Sequence, residues 1–304
     1  MDRYVAEPIS GVRADLAEGP MYDDLTGELV WVDGAMGEVH VARVEHGDEW
    51  QFSDHRVYKV GDHVGAVVPA ANPDDGWLVN AECGFGRLSR DGRYTTLCEP
   101  ERGVDPPTGM NDGKCDPVGR FWAGSAGLNQ EAGAGRLHRL DPDGRCAEML
   151  TDVTVSNGMA WRDAHTLYYI DSPTHRVDVL QVADDGSILD RAPAFDIDPA
   201  LGFPDGMSID SAGRLWVALW EGSRVGCFTP DGELVAKVEV AATHTTSCAF
   251  GGSDLSTLFV TTARPTWLGE EAAAAEQWAG FVFAVKLPTP GMPVGRFGSS
   301  SPGS

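Results

Sequence analysis

The chain has 304 residues, 42% hydrophobic and 23% charged, with a formal net charge of −23 at pH 7. That apolar share supports a sizeable core, while the acidic excess reads as a well-solvated surface that disfavours nucleic acid and anionic membranes as partners. No stretch approaches the ~18 consecutive apolar residues of a membrane-crossing helix, and the start, Met1-Asp2-Arg3-Tyr4-Val5, lacks the apolar region of a signal peptide.

In chain order, residues 1–16 are expected to hold one strand, around Val12. A unit then recurs six times: an anchor, a short apolar run, a polar turn and a second β-rich run. The second runs include Leu29-Val30-Trp31-Val32, Trp77-Leu78-Val79, Phe121-Trp122-Ala123, Leu167-Tyr168-Tyr169-Ile170, Leu215-Trp216-Val217 and Leu258-Phe259-Val260. β-branched and aromatic residues bounded by Gly, Pro, Asn and Asp read as hairpins. Further strands follow in each unit, such as 94–97, 136–140 and 281–285. Residues 100–109 are polar and Pro/Gly-rich, the signature of a surface loop. Residues 269–277 are the one clear helix candidate, and the chain ends in a Gly/Ser/Pro-rich tail. The six cysteines (Cys83, Cys98, Cys115, Cys146, Cys227 and Cys248) show no C-x-x-C pair. In a chain of this length that reads as reduced, mostly buried thiols of a cytoplasmic protein.

The anchors carry the period. Met110-Asn111-Asp112-Gly113, Ser156-Asn157-Gly158-Met159 and Pro204-Asp205-Gly206-Met207 follow one another at intervals of 46 and 48 residues. Two periods before Asn111 stands Glu18, in Ala17-Glu18-Gly19-Pro20; Gly65 and Ser247 hold the same phase in the remaining units. A fixed period in this range marks a repeat architecture, and about four strands per repeat is the content of a propeller blade. The expected fold is therefore all-β: a six-bladed β-propeller of four-stranded antiparallel blades around a central channel. It spans residues 1–288, with 289–304 as a tail whose last residues are expected to be disordered. The ring should close where the termini share a blade, with Val12 paired to Val285. A β-sandwich offers no reason for the period.

In a propeller the first strand of every blade runs the same way along the channel, so residues just before it reach one mouth. By phase, Glu18, Asn111, Asn157 and Asp205 should converge there. They offer only oxygen, the donor set that Ca²⁺, Mg²⁺ or Mn²⁺ prefers; Zn²⁺ accepts carboxylates but usually with His or Cys as well. The plain alternative is that Asn-Gly and Asp-Gly are turn dipeptides. The shared phase weighs against it, and isolated acidic residues in apolar settings are rare unless paired or bound to metal. His55 and His63 read as surface or turn residues. Gly124-Ser125-Ala126-Gly127 lacks the spacing of a nucleophile elbow, and Trp31, Trp122 and Trp216 read as blade packing.

Ala17-Glu18-Gly19-Pro20, Met110-Asn111-Asp112-Gly113-Lys114-Cys115-Asp116-Pro117, Val155-Ser156-Asn157-Gly158-Met159-Ala160-Trp161, Pro204-Asp205-Gly206-Met207 and Thr246-Ser247-Cys248-Ala249-Phe250-Gly251-Gly252 together resemble, in order and over nearly the whole chain, the signatures of the SMP-30/gluconolactonase/regucalcin family. The resemblance implies a six-bladed propeller with one divalent metal ion, Glu18, Asn157 and Asp205 as its ligands, Asn111 as a substrate contact and Asp205 as the catalytic acid/base. It implies hydrolysis of a small sugar lactone to the aldonic acid by a monomer or small homo-oligomer. Two positions depart from the family: Gly109 stands where regucalcin-like members carry a substrate-contacting Arg, and Asn129 falls near a sugar-binding Glu. Arg102, in the preceding loop, is the candidate replacement guanidinium. A metal-dependent phosphotriesterase or aryl-esterase on the same scaffold, or a non-catalytic Ca²⁺-binding protein, are the alternatives.

Overall fold

The structure, a computed structural model, describes residues 1–299. Six sheets form a ring, and their inner strands are Ala17–Asp23, Val64–Pro69, Thr108–Cys115, Ser156–Asp163, Phe203–Ile209 and His244–Gly251, numbered here as blades 1 to 6. Each inner strand packs on the next, and that of blade 6 returns to that of blade 1. Within each blade successive strands pair antiparallel, as the sequence predicts. The second strands read as continuous apolar runs rather than alternating ones because both faces are covered: every residue of Glu28–Asp33 and of Trp77–Ala81 is buried.

Hydrophobic burial is organised by blade interface. One cluster joins Met21, Val30, Val32, Val39 and Val41 of blade 1 to Val64, Val67, Trp77 and Val79 of blade 2. Five further clusters fill the five other interfaces, among them Phe85 against Phe121 between blades 2 and 3 and Trp122 against Trp161 between blades 3 and 4. A blade cannot cover both its faces alone, so ring closure is part of the core. Trp31, Trp122 and Trp216 are fully or almost fully buried in it.

The closing strand differs from the expected one. Glu7–Pro8, not the segment around Val12, pairs with Phe283–Lys286 to complete blade 6, with Glu7 opposite Ala284 and Pro8 opposite Phe283. Val12 lies in an irregular stretch and packs at the interface of blades 6 and 1. Pro8 is tolerated because the strand is the blade's outer edge, where a missing N–H costs no ladder bond. Ahead of it, Asp2–Val5 adds a fifth strand to blade 5, parallel to Leu234–Glu239. The helix is short, Glu270–Ala275, and no helix among the described residues is long and apolar enough to cross a membrane. All six cysteines are free thiols.

The segment after Pro288 crosses the channel end reached by the C-termini of the inner strands. Ala71 and Phe297 exchange backbone bonds with their neighbours, Ala71 N–H donating to Phe297 O (2.8 Å) and Phe297 N–H to Pro69 O (2.9 Å), while Met292 N–H donates to Ile209 O (3.2 Å). Phe297 is buried between blades 2 and 3, and Arg296 pairs with Asp23 and Asp24 at 2.5 Å. The expected disorder of the last residues concerns 300–304, outside the described residues.

Buried aspartates tie strand pairs at the hairpin turns. Asp116 accepts from Trp122 Nε1 (2.9 Å), Arg120 Nε (2.5 Å) and the backbone N–H of Arg120 (2.8 Å). Asp210 repeats the motif with Trp216 Nε1 (3.0 Å) and Arg214 Nε (2.7 Å). Replacing Asp116 by Ala strands a buried guanidinium and an indole N–H, so Asp116→Ala is expected to destabilise the chain by about 3 kcal/mol. Urea unfolding followed by tryptophan fluorescence measures this; a loss within error of zero contradicts it.

Candidate metal and substrate site

The pairing of inner strand with second strand slips at the same level in every blade: between Glu18 and Met21, Val64 and Ala66, Met110 and Gly113, Ser156 and Met159, Pro204 and Met207, and Thr245 and Ser247. Such a bulge frees a residue from the ladder and re-aims its side chain. Asn157-Gly158 and Asp205-Gly206 therefore lie inside strands, not in turns, which removes the plain turn reading. Their glycines are required by close approach of consecutive inner strands. A Cβ on Gly158 would lie 2.5 Å from the carbonyl oxygen of Asp205, and one on Gly206 would strike the side chain of Ser247.

Glu18, Asn111, Asn157 and Asp205 line one cavity of about 400 Å³ at the channel mouth, together with Ser172, Gln130 and Trp220. Asp205 and Asn157 are 6% and 8% exposed, so both present only their cavity-facing edges. Asn111 Nδ2 donates to Ser156 O (2.8 Å) and Asn157 Oδ1 (3.2 Å). Asn157 Nδ2 donates to Ser172 Oγ (2.9 Å), whose hydroxyl donates to Pro204 O (2.6 Å). The two amides are thus oriented before any ligand arrives, through their Nδ2 groups.

Among the described residues no cation pairs with Glu18 or Asp205. Burial pushes Glu18 well above the usual carboxylate range, and the charges of Asp205 and Asp112 push it further. Burial, then the charge of Asp112, does the same to Asp205. Asp205 Oδ1 is buried with no hydrogen-bond partner. Deeper in the channel, burial raises Asp112 against the opposing pull of Lys114, and Lys114 Nζ donates to Met207 O (2.7 Å). Two mutually repelling carboxylates, Asp205 buried and Glu18 half-buried, and an oriented amide fit a hard divalent cation, whose charge offsets the desolvation and repulsion that raise both carboxylates. Among the described residues no cluster of three or more His, Cys, Asp and Glu suited to a metal occurs, so a cation here relies on an amide as well as carboxylates.

The other sequence candidates lie elsewhere. Asn129 is exposed, and its Nδ2 donates to Glu131 Oε1 (2.9 Å); its neighbour Gln130 takes the place in the cavity wall. Arg102 is exposed and engaged by Glu99 (Nε to Oε2, 2.8 Å), and it does not line the cavity. Gly109 faces Leu128 and His63. His63 is held between the carbonyls of Gly34 (3.0 Å) and Met110 (2.6 Å), and His55 stacks on Trp31 and His40; both are packing residues. Ser172, Gln130 and Trp220 were absent from the sequence reading. Ser172 follows Asp171 at the end of a second strand, as Gly34 follows Asp33, and only that parallel pointed to it. A second cavity, of about 410 Å³, lies beneath the C-terminal segment at the other end of the channel, lined by Lys114, Trp161 and Met292; none of the four converging donors reaches it.

The loop before blade 3 is pinned by Glu101, which is buried and accepts from His138 Nε2 (2.5 Å), Ser125 Oγ (2.9 Å), Arg136 Nη1 (3.2 Å) and Thr108. Burial alone would raise its carboxyl, but the bond from His138, then that from Thr108, outweighs it and holds Glu101 down from 4.5 to about 2. A depressed carboxyl contributes stability above its unfolded value and loses it as pH falls through the folded one. Stability is therefore expected to drop between pH 4.5 and about 2, and Glu101→Gln should flatten that part of an acid-unfolding curve; an unchanged slope would refute the assignment.

A family model described as the SMP-30/Gluconolactonase/LRE-like region matches residues 16–264. A 6-deoxy-6-sulfogluconolactonase of Pseudomonas putida is 32% identical over 285 residues, covering 91% of this chain and 92% of its own. A pentonolactonase of Haloferax volcanii is 32% identical over 285 residues, covering 91% and 93%. The crystal structure of a calcium-binding protein, regucalcin, from Agrobacterium tumefaciens strain C58 superposes with a TM-score of 0.88 over 97% of this chain and 98% of that one, at 24% identity, a likeness of fold.

Proposed function

Because the chain belongs to the SMP-30/gluconolactonase/LRE-like family, we propose that it is a divalent-metal-dependent hydrolase that opens the ring of a sugar lactone to the free hydroxy acid. The observation that carries this reading is the gathering of Glu18, Asn157 and Asp205 around one cavity, with Asp205 Oδ1 buried and unpartnered. Relatives that act on two different lactones support the reaction class. Ca²⁺ suits the donor set best, with Mg²⁺, Mn²⁺ and Zn²⁺ as the other candidates.

Glu18, Asn157 and Asp205 would hold the ion, which when bound supplies a Lewis acid for the lactone carbonyl and charge for the oxyanion formed on attack. Asp205 takes a proton from the water that adds to the carbonyl carbon. It returns that proton to the ring oxygen as the acyl C–O bond breaks, so that one water and one lactone give one hydroxy acid. Asn111, fixed through its Nδ2 by Ser156 and Asn157, keeps its Oδ1 for a substrate hydroxyl. Ser172 holds Asn157 in register and thereby acts as a positioning residue.

The test is a pH-indicator assay on an aldonolactone panel. Asp205→Asn is expected to keep the fold by circular dichroism and to lower kcat by at least about 10²-fold. EDTA is expected to abolish turnover, and the metals that restore it rank the native ion. Full activity in Asp205→Asn, or turnover indifferent to EDTA, would remove Asp205 or the metal from the reaction.

A further inference from the structure

The rim above blades 5 and 6 is aromatic, in contrast to the polar floor. Phe203 and Trp220 are cross-strand partners at the channel end of blade 5, and both line the cavity. Trp267, in the short turn Thr266–Leu268 of blade 6, stacks on Trp220 with ring centroids 5.3 Å apart and planes 24° from parallel. His244 packs against both indoles. Phe203 rests on His175 at 4.6 Å. The shelf is preorganised by these contacts yet remains open: Trp267 is 52% exposed and Phe203 40%. Large apolar surface held exposed beside a polar cavity marks a binding surface rather than packing.

The same cavity wall carries Glu18, Asp205 and Glu221, and no Lys or Arg among its described residues. Arg102 does not line this cavity and is engaged by Glu99. The wall thus repels an anionic substituent and offers none of the fork contacts that fix one. Phe203 stands two residues before Asp205 on the same strand, so the shelf adjoins the place where a ligand would meet Asp205.

We propose that Trp220, Trp267 and Phe203 form a subsite for an alkyl or aryl substituent on the lactone ring. This rests on the lactonase reading and extends it from sugar lactones to uncharged lactones that carry an apolar arm. The occupant is the substrate because Phe203 and Trp220 belong to the wall of the same cavity as Asp205. Each methylene moved from water onto the shelf is worth up to ~4-fold in binding, so a butyl arm is expected to raise kcat/KM at least about tenfold.

The test compares δ-valerolactone, the unsubstituted ring, with δ-nonalactone, the same ring bearing a butyl group, on the metal-loaded enzyme. The gain of at least about tenfold should lie mostly in KM. Trp267→Ala should remove most of it, lowering kcat/KM more for the butyl lactone than for the bare ring, and Trp267→Phe should keep most of it. Calorimetry with 6-butylpiperidin-2-one, the non-hydrolysed lactam of the same shape, gives a readout independent of turnover, and its affinity should fall in Trp267→Ala. Equal kcat/KM for the two lactones, or a ratio indifferent to Trp267→Ala, overturns the subsite while leaving the hydrolase intact. A Trp267→Ala chain that changes only its sedimentation assigns the shelf to a second copy and likewise overturns it. Lactam binding that depends on Trp267, with no lactone of the panel hydrolysed, supports the subsite and sinks the lactonase reading instead.

Discussion

The architecture turns on the bulge repeated in all six inner strands. A regular strand would alternate its side chains between the two faces of a blade, where they meet neighbouring blades and not the channel. One slipped pairing per blade, at the same level, tips a single residue out of that alternation. Asn157 and Asp205 are two of those residues, and Glu18 stands at the edge of the slip in blade 1, still paired with Val32; the three lie up to 187 residues apart in sequence yet form part of one wall. The slip needs backbones to pass close to one another, and the glycines after Asn157 and Asp205 supply the room.

Holding two carboxylates there is expensive, since burial and mutual repulsion both oppose their charged forms. The surrounding ring makes the arrangement tolerable. Six apolar interfaces interlock, and aspartates such as Asp116 and Asp210 saturate the donors at the hairpin ends. Asp33 and Asp171 extend the same device to the mouth: Asp33 receives the N–H groups of Asp15 and Leu16, and Asp171 those of Thr154 and Val155. Those bonds fix the chain just ahead of Glu18 and of Asn157. The chain termini lock the ring, Glu7–Pro8 in blade 6 and the segment through Phe297 across the far end of the channel.

Much of this was legible in the residues because a repeat writes its period directly. The six recurring hairpin units set the number of blades, and the intervals linking Asn111, Asn157 and Asp205 pointed to the common mouth. What stayed hidden had no pattern to show. Glu7–Pro8 is too short for alternation and contains a proline, so the more apolar neighbourhood of Val12 drew the closing strand to itself. Asn129 and Gln130 differ by one position, and a turn there sends the first outward and the second to the wall. The docking of Phe297 and the stacking of Trp267 on Trp220 are contacts between distant segments, with no trace in local composition. The bulge itself was invisible: Asn-Gly and Asp-Gly spell a turn wherever the strand around them is not known.

The most direct test of the account is a titration of the metal-free protein with Mn²⁺, read by electron paramagnetic resonance. The account predicts one ion per chain, with Glu18→Gln and Asn157→Ala each weakening binding by more than about tenfold although they lie on different blades. No bound Mn²⁺, or binding that neither substitution disturbs, would contradict it.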